Sequence, residues 1–272
     1  MEYKWITDNE YHYCSGYYTT NKWIGNDKVV IMRSKDAVKG MNSESEGYAS
    51  ELVLVSLDDG TKKVLANDIY MFEDFLVYED KVYYSNIYEL KEIDVNTGKI
   101  RVVYRNEYYV GEKSFEKGIG GELSRIQSPH ITNDGKYISM FISGHQKPTA
   151  FIRINLETGE AEKVFEKGFI WHPLDEAKHV MICPTDKDLF FFCHEGNTFY
   201  ISNRLWLADY RTKKMWNIAK QKLDDDGNLG DCYGHEMWAP DGKGLYFVKY
   251  SVSPVPPRGI CYVDAQTGKA EL

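Results

Sequence analysis

The chain has no long hydrophobic run. Its longest unbroken apolar stretch, at 189–193, is five residues in a sequence of 272, far short of the ~18 that a membrane helix needs. Its first residues show no basic stretch leading into an apolar one, so no secretory leader is expected and a cytoplasmic location is. Cysteine is scarce and odd in number: five, at 14, 183, 193, 232 and 261, with no C-x-x-C pair. That excludes a disulfide framework and zinc-finger spacing, and leaves reduced, mostly buried thiols as the expectation. Positive charge is in deficit, with 33 Lys+Arg against 41 Asp+Glu and a net charge of −8, which argues against nucleic acid or an anionic membrane as partner. No window of eleven or more residues carries a 3.6-residue period, so the chain does not read as helical. The motifs H-E-x-x-H, G-x-S-x-G and the P-loop are all missing.

What is present is aromatic and repetitive. There are 21 Tyr, 12 Phe and 6 Trp, residue types that favour the pleated, half-buried surface of a strand. A tight polar turn ahead of a short alternating strand recurs at Asn26-Asp27-Lys28, Glu79-Asp80-Lys81, Asp134-Gly135-Lys136, Thr185-Asp186-Lys187 and Asp241-Gly242-Lys243. The shared Asp positions lie 52 to 55 residues apart. A second signature follows each, an alternating strand that runs into a turn of the type Thr97-Gly98 or Thr267-Gly268. One unit is thus strand, turn, strand, longer loop, strand, turn, strand, and four antiparallel strands per ~50 residues is the size of a propeller blade. The reading is an all-β, single-domain β-propeller with about five four-stranded blades, at 15–66, 67–117, 124–170, 171–222 and 231–272. Residues 35–48, 118–128, 223–233 and 251–259 read as connecting loops. A β-sandwich also has many short strands, but it does not predict five units at constant spacing.

Five of the seven His fall at 145, 172, 179, 194 and 235. A lone His in a β-protein is more often a hydrogen-bonded structural residue than a functional one; context separates these. His194 closes the apolar run 189–193 and is followed by Glu195 and Gly196, which puts an imidazole where a buried strand emerges. A partly desolvated His there would be neutral and able to accept a proton. His235 reads as preceding the innermost strand of the last unit, and His179 as holding a related position in the unit before. His130 reads as the same position one unit earlier, with inherited repeat sequence as the equal alternative. Together they suggest an axial ring of polar residues. Arg204 heads the strand after His194. It could clamp a carboxylate in bidentate fashion, or it could be a surface ion pair.

These segments together resemble the oligogalacturonate lyases, cytoplasmic pectin-degrading enzymes built on a seven-bladed propeller. The likeness rests on Phe192-Cys-His-Glu-Gly196, on Asn203-Arg-Leu-Trp206 and on Gly234-His-Glu-Met-Trp-Ala-Pro-Asp-Gly242, and is looser towards the start of the chain. What the resemblance implies is β-elimination on short α-linked galacturonate oligomers. It makes His194 the base that takes the C5 proton and His235 one ligand of a divalent metal, manganese, beside the uronate carboxylate. His179 and Arg204 are the candidate substrate-binding residues, and a small acidic oligosaccharide is the implied partner. A bound cation and Arg204 would reverse locally the repulsion between a chain of charge −8 and a polyuronate.

The chain also departs from the family. It contains no Gln-x-x-His-x-His, the motif that supplies the family's remaining metal ligands; Gln127-Ser-Pro-His130 is a partial look-alike in another repeat. Where the family has paired His near its start, the sequence reads Tyr13-Cys-Ser-Gly16. One His is a poor divalent site, since such metals take four to six ligands. Five blades of an expected seven leave two expectations, a piece of a longer lyase with open, self-associating blade faces, or a diverged relative with an altered or absent metal. A non-catalytic propeller that binds an acidic sugar or a protein is the alternative in function.

Overall fold

Short alternating segments separated by turn residues have little choice but to pair with their neighbours, and they do so throughout. The computed structural model describes residues 5–17, 19–35, 50–69, 75–86, 88–106, 125–143, 150–166, 176–195, 201–221 and 231–271. His145, His172, Gly196 and most of the loops 35–48, 118–128 and 223–233 lie outside the described residues.

Five antiparallel sheets follow one another along the chain. The first holds β1 (His12–Cys14), β2 (Trp23–Ile24), β3 (Lys28–Ser34), β4 (Ser50–Ser56) and β5 (Lys62–Ile69). The second holds β6 (Phe75–Tyr78), β7 (Lys81–Ser85), β8 (Glu89–Asp94) and β9 (Ile100–Arg105). Next come β10 (Arg125–Ile131), β11 (Tyr137–Ser143), β12 (Ala150–Asn155) and β13 (Ala161–Glu166), then β14 (Glu176–Ile182), β15 (Leu189–Glu195), β16 (Leu205–Asp209) and β17 (Lys214–Ala219). The last sheet is β18 (Tyr233–Trp238), β19 (Gly244–Lys249), β20 (Gly259–Asp264) and β21 (Ala270–Glu271). The last four sheets are meanders in chain order, and β10 packs against both β6 and β14. These are the blades of a β-propeller with first strands innermost, not the two sheets of a sandwich.

The first blade differs from the four-strand unit the repeat predicts. β1 and β2 both pair with β3, at His12↔Ser34 and at Trp23↔Val29, so two short pieces share the innermost position and the sheet begins at His12.

The repeated turns have a chemical reason. In the Thr-Gly turns an Asp side chain accepts from the Thr three residues on: Thr97 N and Oγ1 donate to Asp94 Oδ1 at 2.7 and 2.9 Å, and Thr267 repeats this on Asp264 at 2.7 and 2.8 Å. Those donors hold both carboxyls below the usual carboxylate range. The Asp-Gly turns hook one blade onto the one before. Tyr78 Oη donates to Asn133 O at 3.2 Å, Asn133 Nδ2 donates to Pro184 O at 2.7 Å, and Cys183 Sγ lies 3.6 Å from Gly242 O. Gly242 has φ +70°, and a Cβ there would fall 2.0 Å from Thr185 Oγ1, so only glycine lets the turn seat.

Aromatic and branched side chains fill the wedge between each pair of blades. Val30, Met32 and Leu52 meet Phe75, Val82 and Tyr84, while Leu76 and Tyr83 meet Ile138, Met140 and Ile152. Phe141 and Phe151 meet Phe190 and Phe192, with the Phe151 and Phe192 rings 4.9 Å apart. Phe191 and Leu207 meet Trp238, Leu245 and Phe247. Along β15 the side chains alternate between these last two layers, which is why 189–193 reads as one apolar run.

The two outer faces are unequal. On the first blade Val29, Ile31, Val53 and Val55 are buried, with Ile6, Tyr13 and Leu57 packed against them. On the last, Met237, Tyr246 and Ile260 are 41, 40 and 71% exposed. A groove of about 630 Å³ runs over that face, lined by Pro240, Tyr246, Ile260 and Tyr262 among others.

Candidate functional site

Three inner strands carry the same defect. The pairing of β10 with β11 slips between Gln127 and His130, that of β14 with β15 between Lys178 and Met181, and that of β18 with β19 between Gly234 and Met237. In each bulge one residue takes a left-handed backbone: Ser128 at φ +48°, His179 at +59° and His235 at +54°. Glycine is the residue suited to such a bulge position, and a side chain there costs about 1–3 kcal/mol. The same strain at the same place in three blades marks the positions as functional candidates.

This corrects two placements read from sequence. His179 and His235 lie within the innermost strands, not ahead of them. The third blade's equivalent is Ser128, while His130 sits two residues further on, level with Met181 and Met237. The signal was available: Ser128, His179 and His235 each stand six residues before Asp134, Thr185 and Asp241, which open the repeated turns.

His194 lies near the end of β15, opposite Ala177 of β14, and its N–H donates to Arg204 O at 2.8 Å. Its Nδ1 is 2.9 Å from Asn203 Oδ1. A carboxamide oxygen can only accept, so Nδ1 carries a proton here, and in the neutral imidazole the lone pair is then on Nε2. Asn203 thus fixes the tautomer a base needs; its motif was legible in sequence, its role was not. His194 is 1% exposed.

Arg204 Nε donates to Glu236 Oε1 at 2.6 Å, and the two side chains are 6% and 0% exposed. The surface ion pair offered as one alternative is therefore a buried one. It links the fourth blade to the fifth. That bond uses only Nε of a guanidinium that carries five N–H donors, and breaking it would leave a buried carboxylate without its cation, which costs several kcal/mol. Arg204 thereby connects the two His-Glu segments: its carbonyl holds His194 and its guanidinium holds the neighbour of His235.

His235 is exposed, with its Nδ1 3.3 Å from Tyr250 Oη and the two rings edge-to-face at 5.5 Å and 77°. A Cβ on Gly234 would fall 2.1 Å from Tyr250 Oη, so glycine makes room for that contact. Lys249 takes in the fifth blade the position His194 has in the fourth, since Tyr233↔Lys249 matches Ala177↔His194. It is paired with the buried Asp231, which also accepts from Tyr233 Oη at 3.0 Å.

His179 is 8% exposed and stacks on Tyr17, ring centroids 4.7 Å apart and 13° from parallel. His130 borders a cavity of about 380 Å³ that Thr19, Asn21, Glu79 and Asn133 also line. Burial pushes its pKa down to about 4, so this imidazole is neutral at pH 7, and its Nδ1 lies 3.4 Å from Ile182 N.

Among the described residues there is no group of three or more His, Cys, Asp or Glu placed to hold a metal ion. His235 is a single imidazole, and the Glu236 beside it faces Arg204. These donors do not make a divalent site.

A family model described as oligogalacturonate lyase matches residues 50–271. An oligogalacturonate lyase of Dickeya dadantii is 26% identical over 198 residues, covering 70% of this chain and 47% of the relative. An oligogalacturonide lyase of Pectobacterium atrosepticum is 25% identical over 181 residues, covering 63% of this chain and 43% of the relative. The chain thus matches less than half the length of each of these curated relatives. Two solved structures share the fold: an oligogalacturonate lyase in complex with manganese, with TM-score 0.71, and one from Vibrio parahaemolyticus, with TM-score 0.70. Each is 17% identical, and the matches cover 97% and 98% of this chain and 67% of each relative.

Proposed function

The chain belongs to the oligogalacturonate lyase family, and from that premise we propose that it carries the base of a β-elimination on short α-linked galacturonate oligomers. The observation that supports this most is the Asn203–His194 contact at 2.9 Å. It puts a proton on Nδ1, so that the neutral form of this imidazole has its acceptor on Nε2, near the end of the second strand of its blade.

The chemistry follows from that tautomer. C5 of a galacturonate unit lies next to the C6 carboxylate, so its proton is weakly acidic. Nε2 of His194 takes that proton. The C5–H electron pair becomes the C4=C5 double bond, the C4–O4 bond breaks, and the departing O4 takes a proton. Negative charge rises on the C6 carboxylate as C5 loses its proton, and donors that meet it lower the barrier. We assign this role to His179, two residues along β14 from the partner of His194. Arg204 holds the strands of His194 and Glu236 together across the blade boundary through its Nε, and in this reading it meets substrate through its terminal nitrogens.

One solved relative is an oligogalacturonate lyase in complex with manganese. On that ground we propose a divalent metal, manganese, as the cofactor, with His235 as its candidate ligand among the described residues. The described donors do not fit a divalent ion, so no step above passes through it. All five cysteines are free thiols, which supports a cytoplasmic location. The exposed face of the last blade supports self-association through Met237, Tyr246 and Ile260. The burial of His194 favours a second reading, a propeller that binds an acidic sugar without turning it over.

The test is incubation with digalacturonate, with and without manganese, while following ultraviolet absorbance of the 4,5-unsaturated product. A rise supports the lyase; binding by calorimetry without any rise supports the second reading and overturns the first.

A further inference from the structure

Gly16, Tyr17 and residues 19–22 lie along the inner strands like a strap. At its C-terminal end Lys22 Nζ donates to Phe75 O at 2.5 Å and lies 4.0 Å from the centre of the Phe75 ring, while Thr20 Oγ1 donates to the same carbonyl at 3.1 Å. This fastens the segment to the second blade. In its middle the Thr19 backbone hydrogen-bonds His130 of the third blade. At its N-terminal end Tyr17 stacks on His179 of the fourth. Gly16, just before Tyr17, has φ +80°, and a Cβ there would lie 2.6 to 2.8 Å from Lys22 and from the Phe75 ring. The backbone can reach this place only because residue 16 has no side chain.

Each partner along this path is on an innermost strand, and the last is one of the three strained bulge residues. The strain at His179 fixes its backbone but not the plane of its ring. The near-parallel Tyr17 ring supplies what the bulge does not. We propose that Tyr17 is a positioning residue for the axial site: stacked on His179 from the first blade, it fixes the plane of that imidazole and so the direction in which His179 meets a sugar carboxylate. The inference rests on the reading above in which His179 binds substrate.

The test uses the full chain and two variants, Tyr17→Leu, which keeps apolar bulk without a ring, and Tyr17→Phe, which keeps the ring. Two readouts are taken: the His179 side-chain resonances by NMR, and binding of unsaturated digalacturonate by calorimetry. In the parent chain the His179 ring protons carry the upfield ring-current shift of a stacked neighbour. Tyr17→Leu removes that shift and weakens binding about fivefold to tenfold, the size of one aromatic stack, while Tyr17→Phe restores both. Unchanged binding in Tyr17→Leu with the shift lost would overturn the proposal, as would a His179 spectrum that does not respond. If the parent chain binds no galacturonate, the substrate reading fails and this proposal with it; binding by the parent that Tyr17→Leu leaves unchanged overturns this proposal alone.

Discussion

At the scale of the residue, the sequence marked His194, Arg204, His179 and His235, and the structure sorts them by environment. His194 and Arg204 are buried and joined through one backbone hydrogen bond, His179 is buried under Tyr17, and His235 is exposed. Residue identity and spacing located them because a strand end and a turn are local features. Their partners were not legible, since Glu236 is 32 residues from Arg204 and Tyr17 is far from His179 in the chain; only the closed blades bring them together. His130 yields a pH prediction. Its pKa is pushed down from 6.5 to about 4 by burial, so between those values the unfolded chain binds a proton that the folded chain refuses. The stabilising contribution is complete above pH 6.5 and is lost as pH falls toward 4, by roughly 3 kcal/mol in total. Urea unfolding at pH 7 and pH 4.5 should show His130→Gln losing less stability on acidification than the parent. An equal loss in both would mean that His130 is not a buried neutral group.

At the scale of the element, the turn chemistry carried most of the fold. Asp94 with Thr97 and Asp264 with Thr267 form the same side-chain-capped turn, and the spacing of such turns was enough to count the blades. Two things escaped it. The innermost position of the first blade is split between β1 and β2, because two short pairings on β3 look no different in sequence from one longer strand. The bulges escaped because Ser128, His179 and His235 are not the residue type that signals a left-handed backbone. The Asp-Gly turns make a direct prediction. Gly242 is left-handed and seats against Thr185 and Cys183 of the preceding blade. Gly242→Ala should destabilise the protein by about 2 kcal/mol, from the left-handed penalty plus the displaced Thr185. The urea midpoint reports it, and a second change, Thr185→Ala, should recover part of the loss. No loss in the single variant would mean that the blade-to-blade hook is loose.

At the scale of the whole molecule, the interleaved aromatic layers explain the composition. Phe141, Phe151, Phe190 and Phe192 fill one inter-blade gap, and Phe191, Trp238 and Phe247 the next. The outer face of the first blade is covered, and that of the last is open around Met237, Tyr246 and Ile260. Sedimentation over a range of protein concentration should show association that Ile260→Glu abolishes, because a charge on that face must be desolvated to bury it. A parent chain that stays monomeric throughout would remove the open face as an association surface. The account as a whole stands on His194, proposed as the base from its place beside Asn203. The most direct measurement is the rate at which the unsaturated product forms from digalacturonate in His194→Gln against the parent chain. Loss of a general base predicts a fall of roughly 10²- to 10⁴-fold with the fold intact by circular dichroism; a rate equal to the parent's would contradict the account.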